Sequence, residues 1–440
     1  MNSNSQPEPA TGTLRRDVGI FGATMMGLGA IVGTGIFVSI GHAAGVAGDW
    51  IVIAIGIAAV VATLNGLSSA QLAAAHPVSG GTYEYGYRWL HPSLGFTAGW
   101  MFLCAKSASA ATAALGFAGY GLRLFGIEST NMQIPIGLGA LLVVLGFILR
   151  GIRWSSIFNA TVVSLTLTSL VLFVVAGVVT ILHAPANEPI AIGSRATLPS
   201  TSLSGVLEAC ALMFVAYTGY GRIATLGEEI RDPSRNIPIA IIVTLGISMA
   251  LYVSIAWVSI GVVGAEAFSA AAESEAAPLE MVARNFDFPA MRYVIAVGAI
   301  TSMLGVLINL VLGLSRVVLA MGRRGDMPHA VGRIDPSGVS PRNAVIVVGT
   351  LIAVLILTGN VKTTWSFSAF TVLIYYAITN LAALQMSDAE RRYPRAIAWL
   401  GLLSCLFLAF WVDRAVWLVG LSLIAAGLVW WRYGKQLLAH

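Results

Sequence analysis

The residues best suited to bind a ligand sit inside apolar stretches. Gly33-Thr34-Gly35-Ile36 lies in a run long enough to cross a bilayer, and glycine recurs at 27, 29, 33 and 35. Glycine is a poor helix residue, so the pattern predicts a break in a spanning helix. Lipid offers no hydrogen-bond partners, so a broken span is tolerated only where it lines a protein cavity. The N–H groups freed at the start of the second half-helix then suit an anion such as a carboxylate. The plainer alternative is that Gly29-x-x-x-Gly33 lets two helices pack closely. The pattern is not a dinucleotide fingerprint, because the spacing differs and no strand precedes it. A second interruption, Ala216-Tyr217-Thr218-Gly219-Tyr220-Gly221, breaks another apolar run with glycines and hydroxyl residues.

Charges at membrane depth are costly unless paired or hydrated, so they mark function. Lys106 lies near the middle of an apolar run, Glu208 lies in the outer half of another, and Arg222 directly follows the second interruption. For Lys106 the alternatives are a permanent pair with Glu208 or a role beside the ligand. For Arg222 they are ligand contact, or a reach to Glu228 or to water. Enzyme chemistry has little support. No His-Glu-x-x-His set, paired-aspartate motif or nucleophile with an evident base is present, and no Walker-type phosphate loop. Cys104, Cys210 and Cys405 lack metal-ligand spacing and read as buried apolar residues. The six histidines fall at span ends, in loops or at the terminus. No catalytic residue, metal or cofactor is expected.

The elements that must position these residues are spanning helices. The chain has 440 residues, 57% hydrophobic and only 10% charged. Its mean hydropathy is +0.83. Soluble domains carry about 25% charged residues, so this is an all-α integral membrane protein. The net charge of +5 does not point to nucleic acid, because the basic residues fall in loops between apolar runs. No cleavable signal peptide is evident, and residues 1–14 read as a flexible tail. At about 20 apolar residues per crossing, twelve spans are expected. They are 17–41, 48–75, 93–122, 133–150, 156–183, 203–230, 236–264, 289–323, 343–358, 364–386, 395–411 and 415–432. Arg88, Arg150, Arg231, Arg323, Arg324, Arg391 and Arg432 share one side with the termini. The other side holds few basic residues and an acidic stretch of Glu266, Glu273, Glu275, Glu280 and Asp287. The bias predicts cytoplasmic N- and C-termini in an inner or plasma membrane. Spans 1 and 6 run in opposite directions, and paired interrupted spans point to an inverted-repeat transporter with a midplane site.

Several pieces carry a resemblance. They are Gly33-Thr34-Gly35-Ile36-Phe37, the Gln71 to Tyr83 stretch containing His76-Pro77-Val78-Ser79-Gly80-Gly81, and Tyr217-Thr218-Gly219-Tyr220. The run Gly227-Glu228-Glu229-Ile230-Arg231-Asp232-Pro233 and Leu314-Ser315-Arg316 with Arg324-Gly325-Asp326-Met327-Pro328 complete the set. In this order and spacing the chain resembles the amino acid–polyamine–organocation superfamily of permeases over nearly its whole length. The resemblance implies a LeuT-like fold: five helices repeated in inverted orientation, at 15–183 and 203–386, with two accessory helices in 387–440. It implies transport of an amino acid or amine by alternating access. The other readings are a sodium-coupled or exchange-type amino acid or amine permease, or a channel or nutrient sensor on the same fold.

The resemblance also implies roles. The first break, with Gly33, Thr34, Gly35 and Ile36, would hold an α-carboxylate. The second would offer carbonyls from Ala216 to Gly219 to an α-ammonium, with Tyr217 or Tyr220 over the side chain. Pro77 to Thr82 would form a cytoplasmic turn. Glu228, Glu229, Arg231 and Arg235 would form ion pairs at the cytoplasmic mouth, or be ordinary loop charges. Members often carry a small residue where Arg222 stands. Many proton-coupled relatives carry a lysine in span 5, and the alignment puts Thr166 there. Either sodium fills that gap, with polar groups such as Ser302, Asn309 or Ser315, or Lys106 supplies the charge and coupling is to protons. The basic candidates Lys106 and Arg222 favour a neutral or acidic amino acid over a cationic one.

Overall fold

The structure is a computed structural model that describes residues 18–77, 80–127, 129–150, 156–183, 202–225, 230–333 and 341–434. The expected tail at 1–14, Val78 and Ser79 of the expected turn, and Glu228 and Glu229 lie outside the described residues. Among the described residues, eight helical stretches are long and apolar enough to cross a membrane, and four shorter apolar helices accompany them.

The first crossing is α1 (Ile20–Ile31), a break, a π-helical turn at Gly35–Ser39, and α2 (Ile40–Ala47). Then follow α3 (Ile51–Ala75), a short helix α4 (Thr82–Trp89), α5 (Pro92–Leu124), α6 (Gln133–Leu149) and α7 (Ser156–His183). The sixth crossing is α8 (Leu203–Tyr217), a 3₁₀ turn at Thr218–Tyr220 and α9 (Gly221–Thr225). Next come α10 (Pro233–Val263), α11 (Ala265–Glu275), α12 (Pro278–Ala283) and α13 (Met291–Arg324). The chain ends with α14 (Arg342–Ile356), α15 (Val361–Leu384), α16 (Arg395–Ala409) and α17 (Arg414–Val429). With each interrupted pair counted once and the short α4, α11 and α12 set aside, the described helices of this all-helical membrane protein give twelve candidate crossings.

Two local departures from the expected elements have simple causes. The acidic stretch after α10 forms α11 and α12. Its alanines are strong helix formers, and Pro278 sits in the first turn of α12, where it has no N–H to lose. The glycine pair before α4 makes the sharp entry, Gly80 at φ +129° and Gly81 at φ +57°. Those values are open to glycine at little cost.

Small residues set the packing. α5 runs along α13 and α15. Its buried face includes Ala105, Ala108, Ala110, Ala111, Ala113 and Ala114. Small side chains let the backbones approach, and hydroxyl pairs close the seam. Ser109 bonds Ser368, and Thr112 bonds Thr364, both at 2.8 Å. Large apolar side chains such as Leu142, Val175, Val354, Leu403 and Val419 point outward. An apolar exterior over a core with internal hydrogen bonds is what lipid demands.

Candidate functional site

The first break starts where Val32 leaves helical geometry, at φ −79° and ψ 87°. Its freed carbonyls find hydroxyls. Tyr252 Oη donates to the Ile31 carbonyl at 3.0 Å, and Ser302 Oγ donates to the Val32 carbonyl at 2.5 Å. The second half-helix begins with the N–H groups of Ile36 and Phe37 donating to the Gly33 carbonyl, at 3.1 Å each. Thr34 and Gly35 therefore stand at a helix N-terminus, where N–H groups lack intrahelical acceptors.

At the sixth crossing the interruption is a single 3₁₀ turn, tighter than an open gap. The Ala216 carbonyl lies 3.0 Å from Tyr252 Oη and shares its single proton with the Ile31 carbonyl, and the Thr218 carbonyl accepts from Tyr376 Oη at 3.3 Å. The Thr218 hydroxyl donates to the Val215 carbonyl at 2.7 Å. The two interruptions touch. A Cβ on Gly219 would lie 2.4 Å from the Ala30 carbonyl carbon, and one on Gly35 would lie 2.6 Å from Ala216 Cβ. Close packing and the break thus occur at the same glycines.

A cavity of about 610 Å³ ends at this junction. Ala30, Thr218, Gly219 and Val306 form its inner end, with Phe102, Asn309, Tyr375 and Tyr376 on its walls. It continues along α13 to the exposed Arg316 and Arg323, with Arg324 and Glu84 beside them. From Asn309 to Arg323 the helix rises roughly 20 Å, most of half a membrane thickness. The cavity therefore runs from the arginine-rich end to mid-depth. Beyond the junction, Tyr217 and Tyr252 pack with ring centroids 5.0 Å apart. Trp365 Nε1 donates to the Leu212 carbonyl at 3.0 Å.

Of the expected site residues, Lys106, Thr218, Gly219, Arg222 and Asn309 line the cavity. Gly33 sits behind Val306, whose Cγ2 would be 2.5 Å from an added Cβ. Thr34, Gly35, Ile36 and Ala216 are buried and outside the lining. Tyr217 and Tyr220 are both fully buried, also outside the lining. Tyr220 packs on Tyr376 at 5.5 Å, and the aromatic walls of the cavity are Phe102, Tyr375 and Tyr376. Lys106 Nζ donates to Thr218 Oγ1 at 2.8 Å. Glu208 is ten residues before Thr218, about 15 Å along the helix, and the Lys106–Glu208 pair is not formed.

A second cavity, of about 10 Å³, lies between α1, α7 and α13. It brings together Thr166, Ser302 and Asn309 with Gly29, Val32 and Asn159. That volume is at the lower limit for one water-sized particle. Ser315 is not part of it; its hydroxyl donates to the Leu312 carbonyl at 3.0 Å.

At the arginine-rich end, Arg231 N–H donates to the Val18 carbonyl at 2.9 Å, tying the entry of α10 to the start of α1. Glu84 pairs with Arg324, whose guanidinium lies 4.0 Å from the Tyr87 ring centroid. Glu84 and its cluster had no counterpart among the expected site residues. The signal available was the charged, aromatic run Tyr83 to Trp89 between two spans.

The family model described as "Amino acid permease" matches residues 22–436. The chain belongs to the amino acid permease family. An uncharacterized transporter of Mycobacterium tuberculosis is 35% identical over 421 residues, covering 96% of this chain and 92% of the relative. A branched-chain amino acid permease of Bacillus subtilis is 26% identical over 440 residues, covering 93% and 91%. Human cationic amino acid transporter 4 is 27% identical over 400 residues, covering 86% of this chain and 61% of the relative. These relatives are named as transporters or permeases. Their stated substrates differ in charge, so kinship alone does not select one for this permease.

Proposed function

We propose that this permease is a secondary active transporter of amino acids, working by alternating access and linked to protons. The termini lie in the cytoplasm, the arginine-rich end faces it, and the membrane is an inner or plasma membrane. Residues 15–183 and 203–386 are the two inverted repeats, with one helix interruption in each. One observation carries the reading: a cavity of about 610 Å³ joins the arginine-rich surface to the meeting point of two interrupted helices. Ligand pockets fall at about 300–1,000 Å³, so the cavity suits an amino acid. In alternating access this is the inward-facing arrangement. Lys106 at its inner end supplies the titrating charge, and the substrate is a neutral or acidic amino acid.

The small cavity at Thr166, Ser302 and Asn309 favours a second reading, in which sodium is the coupling ion. Purified protein in liposomes separates the readings. The proposed transporter shows saturable uptake and counterflow of a labelled amino acid, driven by a proton gradient without sodium. Sodium-dependent uptake would overturn proton coupling and leave amino acid transport standing. Channel-like conductance, or no flux of any amino acid, would overturn the transport reading itself.

A further inference from the structure

Lys106 is a charge at membrane depth with no carboxylate beside it among the described residues. Its Nζ has one hydrogen bond, to Thr218 Oγ1 at 2.8 Å. The Thr218 hydroxyl proton is committed to the Val215 carbonyl at 2.7 Å. The hydroxyl therefore accepts from the ammonium, and two further ammonium N–H groups are left for the cavity. Among the described residues no carboxylate lies within ion-pair distance of Nζ. The other charged groups on the cavity wall are Arg222 on α9, Arg316, Arg323 and Arg324 on α13, and Glu84 on α4. Glu84 is already paired with Arg324 at the mouth. The remaining titratable wall groups near Lys106 are the neutral phenols of Tyr375 and Tyr376 on α15. The described lining thus holds five basic residues and one acidic residue.

We infer that Lys106 and Thr218 form a subsite for a second carboxylate, so that the substrate is an acidic amino acid carried together with one proton. This rests on the transport reading above. An ammonium at membrane depth is stabilised by a counter-ion, and no described residue supplies one. A substrate side-chain carboxylate beside it makes the ammonium the favoured form. Proton and carboxylate therefore enter together. The proton binds the Lys106 amine, and both leave on the opposite side. The substrate contributes one negative charge and the proton one positive charge, so the cycle moves no net charge. A neutral amino acid would leave the new ammonium unbalanced, and a cationic one would add a second positive charge. The basic wall raises the local concentration of anions over cations on the way in.

The test uses the full-length protein in liposomes, with glutamate, aspartate, glutamine, leucine and arginine as labelled substrates. The expected result is counterflow of glutamate or aspartate. Its accumulation should follow an imposed pH gradient and not respond to an imposed membrane potential. Lys106→Gln should lower kcat/KM for the acidic substrate by roughly 100-fold or more, the scale for losing one partner of a buried charge pair. The same variant should raise glutamine relative to glutamate, which a merely structural lysine would not do. If Lys106→Gln does not fold, selectivity and potential independence of the unmodified protein still decide. Counterflow of leucine or arginine without acidic substrates would overturn the subsite and leave transport intact. Accumulation of glutamate that follows membrane potential would overturn the proton stoichiometry. Neutral amino acid uptake that requires chloride in place of gluconate would show that the ammonium takes an inorganic anion, and would overturn the acidic-substrate assignment. No flux of any amino acid would be the failure of the transport reading.

Discussion

At the arginine-rich end of the core a polar cluster braces the helices around the cavity, whereas at the opposite end glycine and alanine contacts press them together. The brace centres on Asp326, which is 1% exposed. It accepts from Tyr83 Oη at 2.7 Å and Tyr87 Oη at 2.6 Å, and its backbone carbonyl accepts from Trp430 Nε1 at 3.0 Å. At the closed end, a Cβ on Gly41 would lie 2.7 Å from Ala272 Cβ, and one on Gly45 would lie 2.0 Å from Ser269 Oγ. α11 therefore sits directly on α2, with Lys362 and Glu273 bridging its exposed edge at 3.0 Å. Packing of small residues depends on volume, and a polar cluster depends on keeping every partner. The two ends should therefore fail under different substitutions.

The sharpest break of this contrast is Gly219→Ala, at the junction where the open and closed halves meet. The added methyl would fall 2.4 Å and 2.5 Å from the carbonyl carbon and oxygen of Ala30. Those are backbone atoms, which cannot swing aside. Overpacking costs about 1–3 kcal/mol and more where nothing yields. Uptake should be lost and the thermal midpoint should fall clearly. Gly246→Ala, with open space around its Cβ position, serves as the control and should leave uptake unchanged. Similar behaviour of the two variants would show that the junction is not tightly packed.

The polar end should respond to loss of an acceptor rather than to size. Asp326→Ala leaves the buried Tyr83 hydroxyl without its acceptor, at about 1–3 kcal/mol, while half-buried Tyr87 can turn to water. Thermal unfolding in detergent should show a loss of roughly 2 kcal/mol. Asp326→Asn keeps a carbonyl acceptor and should lose less. Equal losses in the two variants would mean that the negative charge, and neither the acceptor nor the volume, is what the cluster requires.

The sequence showed both interruptions because glycine marks them, and it showed Lys106 because a lysine inside an apolar run has few explanations. It did not show which side chains face the cavity. In a span that is apolar on all sides, the periodicity that separates core from surface in a soluble helix is absent. Tyr217 and Tyr375 are chemically equivalent in the sequence, yet one is buried behind the junction and the other lines the wall. The partner of Lys106 was hidden for the same reason. Thr218 is one of many hydroxyls, and only the 3₁₀ turn after Tyr217 aims it at α5. α11 was hidden differently, because its acidic residues suggested a loop while its alanines determined a helix.

The smallest effect should come from the ion pair on the closed end. The hydrogen bond from Lys362 is the main reason the Glu273 carboxyl is held below the ordinary carboxylate range. A carboxyl whose paired pKa is lowered stabilises the paired form fully above its ordinary pKa, and loses that contribution as pH falls through the lowered value. Both partners are about half exposed, so water and salt screen the pair. The expected contribution is at most about 1 kcal/mol. Glu273→Gln should therefore lower the thermal midpoint slightly at neutral pH and not at all in acid well below the carboxylate range. High salt should shrink the neutral-pH difference as well. A large loss on Glu273→Gln, comparable with Asp326→Ala, would mean that the closed end is held by charge and not by the packing of α11 on α2.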